Sequence, residues 1–186
     1  MPETPWKPTK EQVLASARRT VEDVVAPNLK VLFVGINPGL YTAAIGHHFG
    51  RPGNRFWPVL HKAGFTPRQL SPFEERELLP LGYGITNFVA RATAAAGELS
   101  TAEVREGASL LEAKIRRLTP RFVAFLGMQS YRVAFARPNA GVGLQPETIG
   151  DSKLWLLPNP SGLQAHYPLP ELVRLFAELR RASSCS

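Results

Sequence analysis

Two kinds of hydrophobic pattern alternate along this chain. Residues 30–36 (Lys30-Val31-Leu32-Phe33-Val34-Gly35-Ile36) form a continuous apolar run rich in β-branched side chains, halted by Asn37-Pro38-Gly39. Such a run predicts a strand buried on both faces. The same reading applies to 122–127, halted by Met128-Gln129-Ser130, and to 153–157, halted by Pro158-Asn159-Pro160-Ser161-Gly162; residues 84–89 read as a shorter strand. Between these runs the apolar positions recur at helical spacing. Residues 10–25 carry Val13, Leu14, Ala17, Val21, Val24 and Val25 in that rhythm, and 55–63 form a helix that Asn54 can cap and Gly64 can end. A long helix from Ser100 or Thr101 to Leu118 presents Val104, Ala108, Leu111, Ile115 and Leu118 on one face. Shorter helices are expected over 130–135 and 169–182. Alternating helices and two-faced strands predict an α/β fold, a central, mainly parallel sheet flanked by helices on both faces.

Length and composition narrow this further. At 186 residues, 44% hydrophobic and 20% charged, the chain suits one ordinary globular domain. We expect residues 1–28 to be an N-terminal extension with an accessory helix, 29–182 a single domain and 183–186 a flexible tail. No apolar stretch approaches the ~20 residues that span a bilayer. No basic segment followed by an apolar core opens the chain, so a soluble, cytoplasmic protein without membrane partners is expected. The single cysteine, Cys185, leaves no internal disulfide or thiolate metal cluster.

Charge adds a partner class. Lys and Arg total 22 against 15 acids, giving +7, which favours a polyanion such as nucleic acid. Its distribution matters more. Residues 24–73 and 120–146 contain no acid but carry Lys30, Arg51, Arg55, Lys62, Arg68, Arg121, Arg132 and Arg137. A face shared by these windows would attract phosphates; Arg51, Lys62 and Arg68 are its candidates.

Ligands of doubly wound sheets bind beyond the carboxyl ends of strands. Two of those ends carry Asn-Pro closely followed by Gly, at Asn37-Pro38-Gly39 and Asn159-Pro160-Ser161-Gly162, which favours one shared site. A dinucleotide fingerprint and a phosphate loop are both absent. His47 and His48 are adjacent instead of four apart, so a solvated loop or a phosphate contact is expected of them and not a zinc pair. The two Asp residues, Asp23 and Asp151, lie outside these turns, which argues against a paired-carboxylate hydrolase. A neutral amide can hold a water through its carbonyl oxygen while its N–H groups donate elsewhere. That suffices for a bond that breaks through a strongly cationic, oxocarbenium-like state, as glycosidic bonds do.

Gly35-Ile36-Asn37-Pro38-Gly39, Pro52-Gly53-Asn54-Arg55-Phe56-Trp57 and Asn159-Pro160-Ser161-Gly162-Leu163, in this order, resemble the motifs of mismatch-specific uracil–DNA glycosylases, relatives of the thymine–DNA glycosylases. The resemblance spans residues 30–182. It implies excision of uracil, and of related damaged pyrimidines, from G·U mismatched duplex DNA, by a monomer without metal or cofactor. By motif position, Asn37 is the implied catalytic residue, Ile36 offers backbone groups to the extruded base, Phe49 stacks on it, and Thr42 and Asn159 help shape the pocket. Leu163 is the implied wedge in the vacated base stack, with backbone groups of Gly162 and Gln164 on the orphaned guanine. Relatives often carry an acid where this chain has Ala90, and some carry a basic residue where it has Asn87. A broader uracil–DNA glycosylase, or a lesion-binding protein without turnover, are the competing readings.

Overall fold

A computed structural model describes residues 4–161 and 166–185. Its centre is a five-stranded sheet of β1 (Val31–Gly35), β2 (Tyr83–Asn87), β3 (Phe122–Leu126), β4 (Gly143–Ile149) and β5 (Ser152–Leu157), in the order β2-β1-β3-β5-β4. β2, β1, β3 and β5 run parallel, and β4 is an antiparallel edge strand on β5. This is the expected α/β architecture. Four carboxyl ends therefore open on one side of the sheet.

The two-faced strands sort their side chains by parity. Val31, Phe33, Phe122, Ala124, Leu126 and Leu157 face a core completed by α3 (Phe56–Lys62) and α7 (Leu169–Ser184) through Phe56, Val59, Leu60, Leu172, Phe176 and Leu179. Leu32, Val34, Val123, Phe125, Leu154 and Leu156 face the opposite core, built with α5 (Thr101–Leu118) and α6 (Met128–Ala134) through Ala108, Leu111, Ile115 and Tyr131. Burying aliphatic and aromatic side chains this fully stabilises by about 1.5–3 kcal/mol each, so the sheet is held from both sides. Ser100 caps α5, accepting from the Glu103 N–H, while the Glu103 carboxylate accepts from the Ser100 N–H.

The helix expected over 10–25 is corrected to a single short turn, α1 (Lys10–Leu14). Its apolar face is only partly covered: Val13 is half-buried, but Leu14 is 61% exposed. The chain then turns through Arg18, whose φ of 67° ends any helix, and its backbone pairs outward instead. Arg18 N–H donates to Ala92 O, Ala92 N–H to Arg19 O, and Val24 exchanges two hydrogen bonds with Ile85 along the outer edge of β2. Tertiary pairing overrides the local rhythm here. Three elements fall in stretches where the sequence pattern predicts neither helix nor strand: α2 (Leu40–Ile45), α4 (Leu78–Leu81) and the edge strand β4.

α5 crosses the end of β2 closely at Gly107. A Cβ there would sit 2.1 Å from the Phe88 carbonyl oxygen, a backbone atom. Gly107→Ala gains about 1 kcal/mol of helix propensity, but the overlap forces helix or loop to move at a cost of about 1–3 kcal/mol. We expect a lowered thermal midpoint; an unchanged or raised one would show that α5 is free to shift.

Candidate active site

The carboxyl ends of the four parallel strands converge on a cavity of about 360 Å³. Gly35 supplies the end of β1, Asn87 that of β2, Leu126 that of β3, and Asn159 and Ser161 follow β5. Ile36, Asn37, Thr42, His48, Phe49, Arg51, Asn54 and Thr93 complete most of the wall. Both Asn-Pro turns thus meet in one space, although β3 lies between their strands.

Asn37 is held by its amide nitrogen. Nδ2 donates to the Arg91 carbonyl at 3.0 Å and to Thr93 Oγ1 at 2.8 Å. Thr93 Oγ1 gives its own hydrogen to Ala95 O at 2.8 Å, so it can only accept from Asn37. Both partners are acceptors, which fixes the amide orientation. Both N–H groups of Asn37 are consumed, and Oδ1 has no hydrogen-bond partner among the described residues. What Asn37 offers the cavity is therefore a carbonyl oxygen.

The Arg91 carbonyl is itself anchored. The Arg91 guanidinium grips both carboxylate oxygens of Glu103, at 2.7 and 3.2 Å. The Glu103 carboxyl is held down to about 2 by the hydrogen bond from Arg91 first and the Ser100 N–H second. The α5 cap thus extends, through Arg91, to the amide of Asn37.

Phe49 adopts φ 52°, an unusual backbone state for a bulky residue, and stacks on Phe56 with ring centroids 4.0 Å apart. Buried Thr42 accepts from the Gly50 N–H at 3.0 Å, which closes the loop carrying Phe49. The Ile36 carbonyl accepts from the Val89 N–H at 3.0 Å. Asn159 Oδ1 accepts from the Ser161 N–H at 3.0 Å, turning the chain after β5. Arg55 donates to Pro160 O, Ser161 O and Tyr167 O, tying α3 to the chain on both sides of residues 162–165. Gly162, Leu163 and Gln164 lie outside the described residues.

Other expectations shift. His48 is buried and hydrogen-bonded, neither solvated nor a phosphate contact: its Nε2 lies 2.9 Å from Glu22 O and its N–H donates to Glu75 Oε2. His47 Nδ1 meets Glu75 Oε1 at 2.9 Å. Arg68 is engaged by Glu74 and Glu77, whereas Arg51 stands exposed in the cavity wall. Ala90 is exposed and outside the lining, so the missing acid leaves no gap in the cavity wall. Sequence reasoning gave no role to Arg91 or Thr93 and expected His48 in a solvated loop or on a phosphate; a paired His-His inside an acid-free loop was the one signal available.

Burial lowers the pKa of His48, against the upward pull of Glu75, so the ring is neutral at neutral pH. Above about pH 6.5, its ordinary value, neither the folded nor the unfolded chain protonates this ring. Below it the unfolded chain takes up a proton that the fold refuses, and stability is lost as pH falls toward the folded value. The thermal midpoint should therefore drop between pH 7 and 5 more steeply in wild type than in His48→Gln. Parallel curves would assign the acid sensitivity to other groups.

The solution NMR structure of a protein from Methanosarcina acetivorans, described as a candidate uracil DNA glycosylase, superposes with a TM-score of 0.57 at 18% identity, covering 88% of this chain and 98% of that one. At that identity the likeness carries the fold. The model of the uracil DNA glycosylase superfamily matches residues 22–180, nearly the whole described sheet and its helices. With a match of that extent, the chain belongs to the uracil DNA glycosylase superfamily.

Proposed function

We propose that this protein is a monofunctional DNA glycosylase that turns uracil out of G·U mismatched duplex DNA and hydrolyses its N-glycosidic bond. Superfamily membership supports uracil excision in general. The observation that carries the reading is the amide of Asn37, whose two N–H groups are spent on Arg91 O and Thr93 Oγ1 so that Oδ1 is left for a water. A water accepted there keeps its lone pairs for the sugar carbon. No carboxylate lines the cavity among the described residues, and the histidine that does is neutral. Such a site favours a reaction in which the bond to the base breaks early and a weakly activated water completes it.

In this reading the extruded base lies along Phe49, in the space closed by Ile36, Thr42 and Asn159. Phe56 backs the Phe49 ring and keeps it from folding away. Extrusion costs a few kcal/mol and is cheapest at a mismatch, which favours G·U over A·U in duplex. Leu163 would fill the vacated stack, with Gly162 and Gln164 on the guanine left behind. The +7 charge and exposed Arg51 suit a DNA backbone. The protein would act as a monomer on one lesion at a time.

The test uses labelled oligonucleotides with uracil opposite guanine, opposite adenine or in a single strand, followed by alkaline scission of abasic sites. Breakage at G·U in excess supports the proposal. Equal breakage of all three would replace it with a broad uracil–DNA glycosylase, and tight binding without breakage with a lesion-binding protein.

A further inference from the structure

We propose that Arg18 and Arg19, in the segment that precedes the superfamily match, are positioning residues for the Asn37 amide: their backbone pins the loop that aims it. The inference rests on the function proposed above and deepens it.

The loop from Arg91 to Thr93 has two sides. On one, the Arg91 carbonyl and Thr93 Oγ1 accept from Asn37 Nδ2, and the Thr93 N–H donates to Pro38 O at 3.1 Å. On the other, the Ala92 N–H donates to Arg19 O at 2.8 Å, and the Ala92 carbonyl accepts from the Arg18 N–H at 3.0 Å. The residue between the two acceptors of Asn37 thus gives both its backbone groups to the N-terminal segment. Ala92 is 1% exposed although it belongs to no helix or strand. Backbone groups buried in this way need partners, and residues 18 and 19 supply them.

The segment is itself held in place. Ser16 is fully buried, donates through Oγ to Gln12 O at 2.7 Å and accepts at its carbonyl from the Arg19 N–H at 3.1 Å. Between these anchors Arg18 takes φ 67°, an uncommon state outside glycine. Further on, Val24 bridges Ile85 of β2. The side chains of Arg18 and Arg19 are exposed, so it is main chain that reaches Ala92. If this contact opened, water would take over the Ala92 groups and both acceptors of Asn37 could drift. Displacements of about 1 Å in such a positioning chain cost up to ~10²-fold in rate. The base and the phosphates would be met elsewhere, so affinity is spared.

The experiment uses the full chain and measures two quantities: single-turnover excision from G·U duplex at saturating enzyme, and affinity, by fluorescence anisotropy, for duplex carrying cleavage-resistant 2′-fluoro deoxyuridine opposite guanine. Arg18→Pro removes the N–H and forbids the positive φ. It should slow excision at least tenfold with affinity within threefold of wild type. Arg18→Gly deletes the same side chain but keeps the N–H and suits the positive φ, so it should restore the rate to within threefold. In an Asn37→Ala background, Arg18→Pro should change the residual rate less than twofold, because no aimed amide is left to disturb. A normal rate in folded Arg18→Pro, an Arg18→Gly as slow as Arg18→Pro, a collapse of affinity, or a full tenfold loss without Asn37 each overturns the proposal. Should melting show Arg18→Pro unfolded, Arg18→Val, which keeps the N–H but places a β-branched residue at positive φ, is read by the same criteria with a threefold loss as the threshold. Wild type that leaves G·U duplex uncut would instead overturn the underlying function; wild-type excision kept in the variants overturns only the role of residues 18 and 19.

Discussion

Asn37→Ala is expected to slow single-turnover uracil excision by about 10²–10³-fold, the scale seen when one preorganised polar group is removed from an active site. Affinity for uncleavable uracil duplex should stay within threefold. The two expectations have one cause. In the proposed reaction Asn37 Oδ1 meets the attacking water, which gains importance as the sugar becomes cationic, while base and backbone contacts would lie elsewhere in the cavity. Alanine strips donors from the Arg91 carbonyl and Thr93 Oγ1, losses of about 1 kcal/mol each that the fold can absorb. Quench-flow rates at saturating enzyme, paired with anisotropy titrations, check both halves. A rate within threefold of wild type would remove Asn37 from the chemistry, and a parallel collapse of affinity would make it a binding residue.

The parts of this molecule that were legible in sequence are those whose cause is local. β1, β3 and β5 are continuous apolar runs because both faces of the sheet are covered, and α5 is announced by its Ser100 cap and its periodic apolar face. β4 was hidden because an edge strand buries only part of itself. Its exposure alternates and its register shifts between Leu144 and Thr148, and Pro146 among the neighbouring glycines reads as a loop. Residues 10–25 misled for the opposite reason: the helical rhythm is present, but β2 and the loop around Ala92 supply better partners. The site divides in the same way. Asn37 and Asn159 stand out because Asn-Pro turns after buried strands are unusual in a pair. The groups that orient Asn37 lie 54 and 56 residues away and act partly through a backbone carbonyl, which has no signature in side-chain chemistry.

Arg91→Ala should lower the excision rate by about tenfold to ~10²-fold at saturating enzyme, without touching a reacting atom. The Asn37 Oδ1 is useful only if it meets the water at the right distance, and displacements of about 1 Å in positioning groups cost rates of this order. Its aim depends on the Arg91 carbonyl, and that carbonyl is held because the guanidinium is forked onto Glu103, with a further contact to Glu98 O at 3.4 Å. Because the Glu103 carboxyl sits near 2, the fork stays ionised through neutral and mildly acid pH and the rate should show no titration from it there. A single ion pair this open to solvent contributes little to stability, so the thermal midpoint should move far less than the rate. Glu103→Gln should reproduce the defect more weakly, and Arg91→Ala/Glu103→Gln should be no slower than Arg91→Ala alone, as expected when two groups act in one chain. The alternative role for an arginine beside a DNA-facing cavity is a phosphate contact. That role would appear as weakened affinity with a shallower salt dependence and a normal rate at saturation, and Glu103→Gln would then leave the rate unchanged. The split between rate and affinity therefore decides whether the α5 cap helps to hold the Asn37 amide for the proposed chemistry or whether Arg91 merely sits beside it.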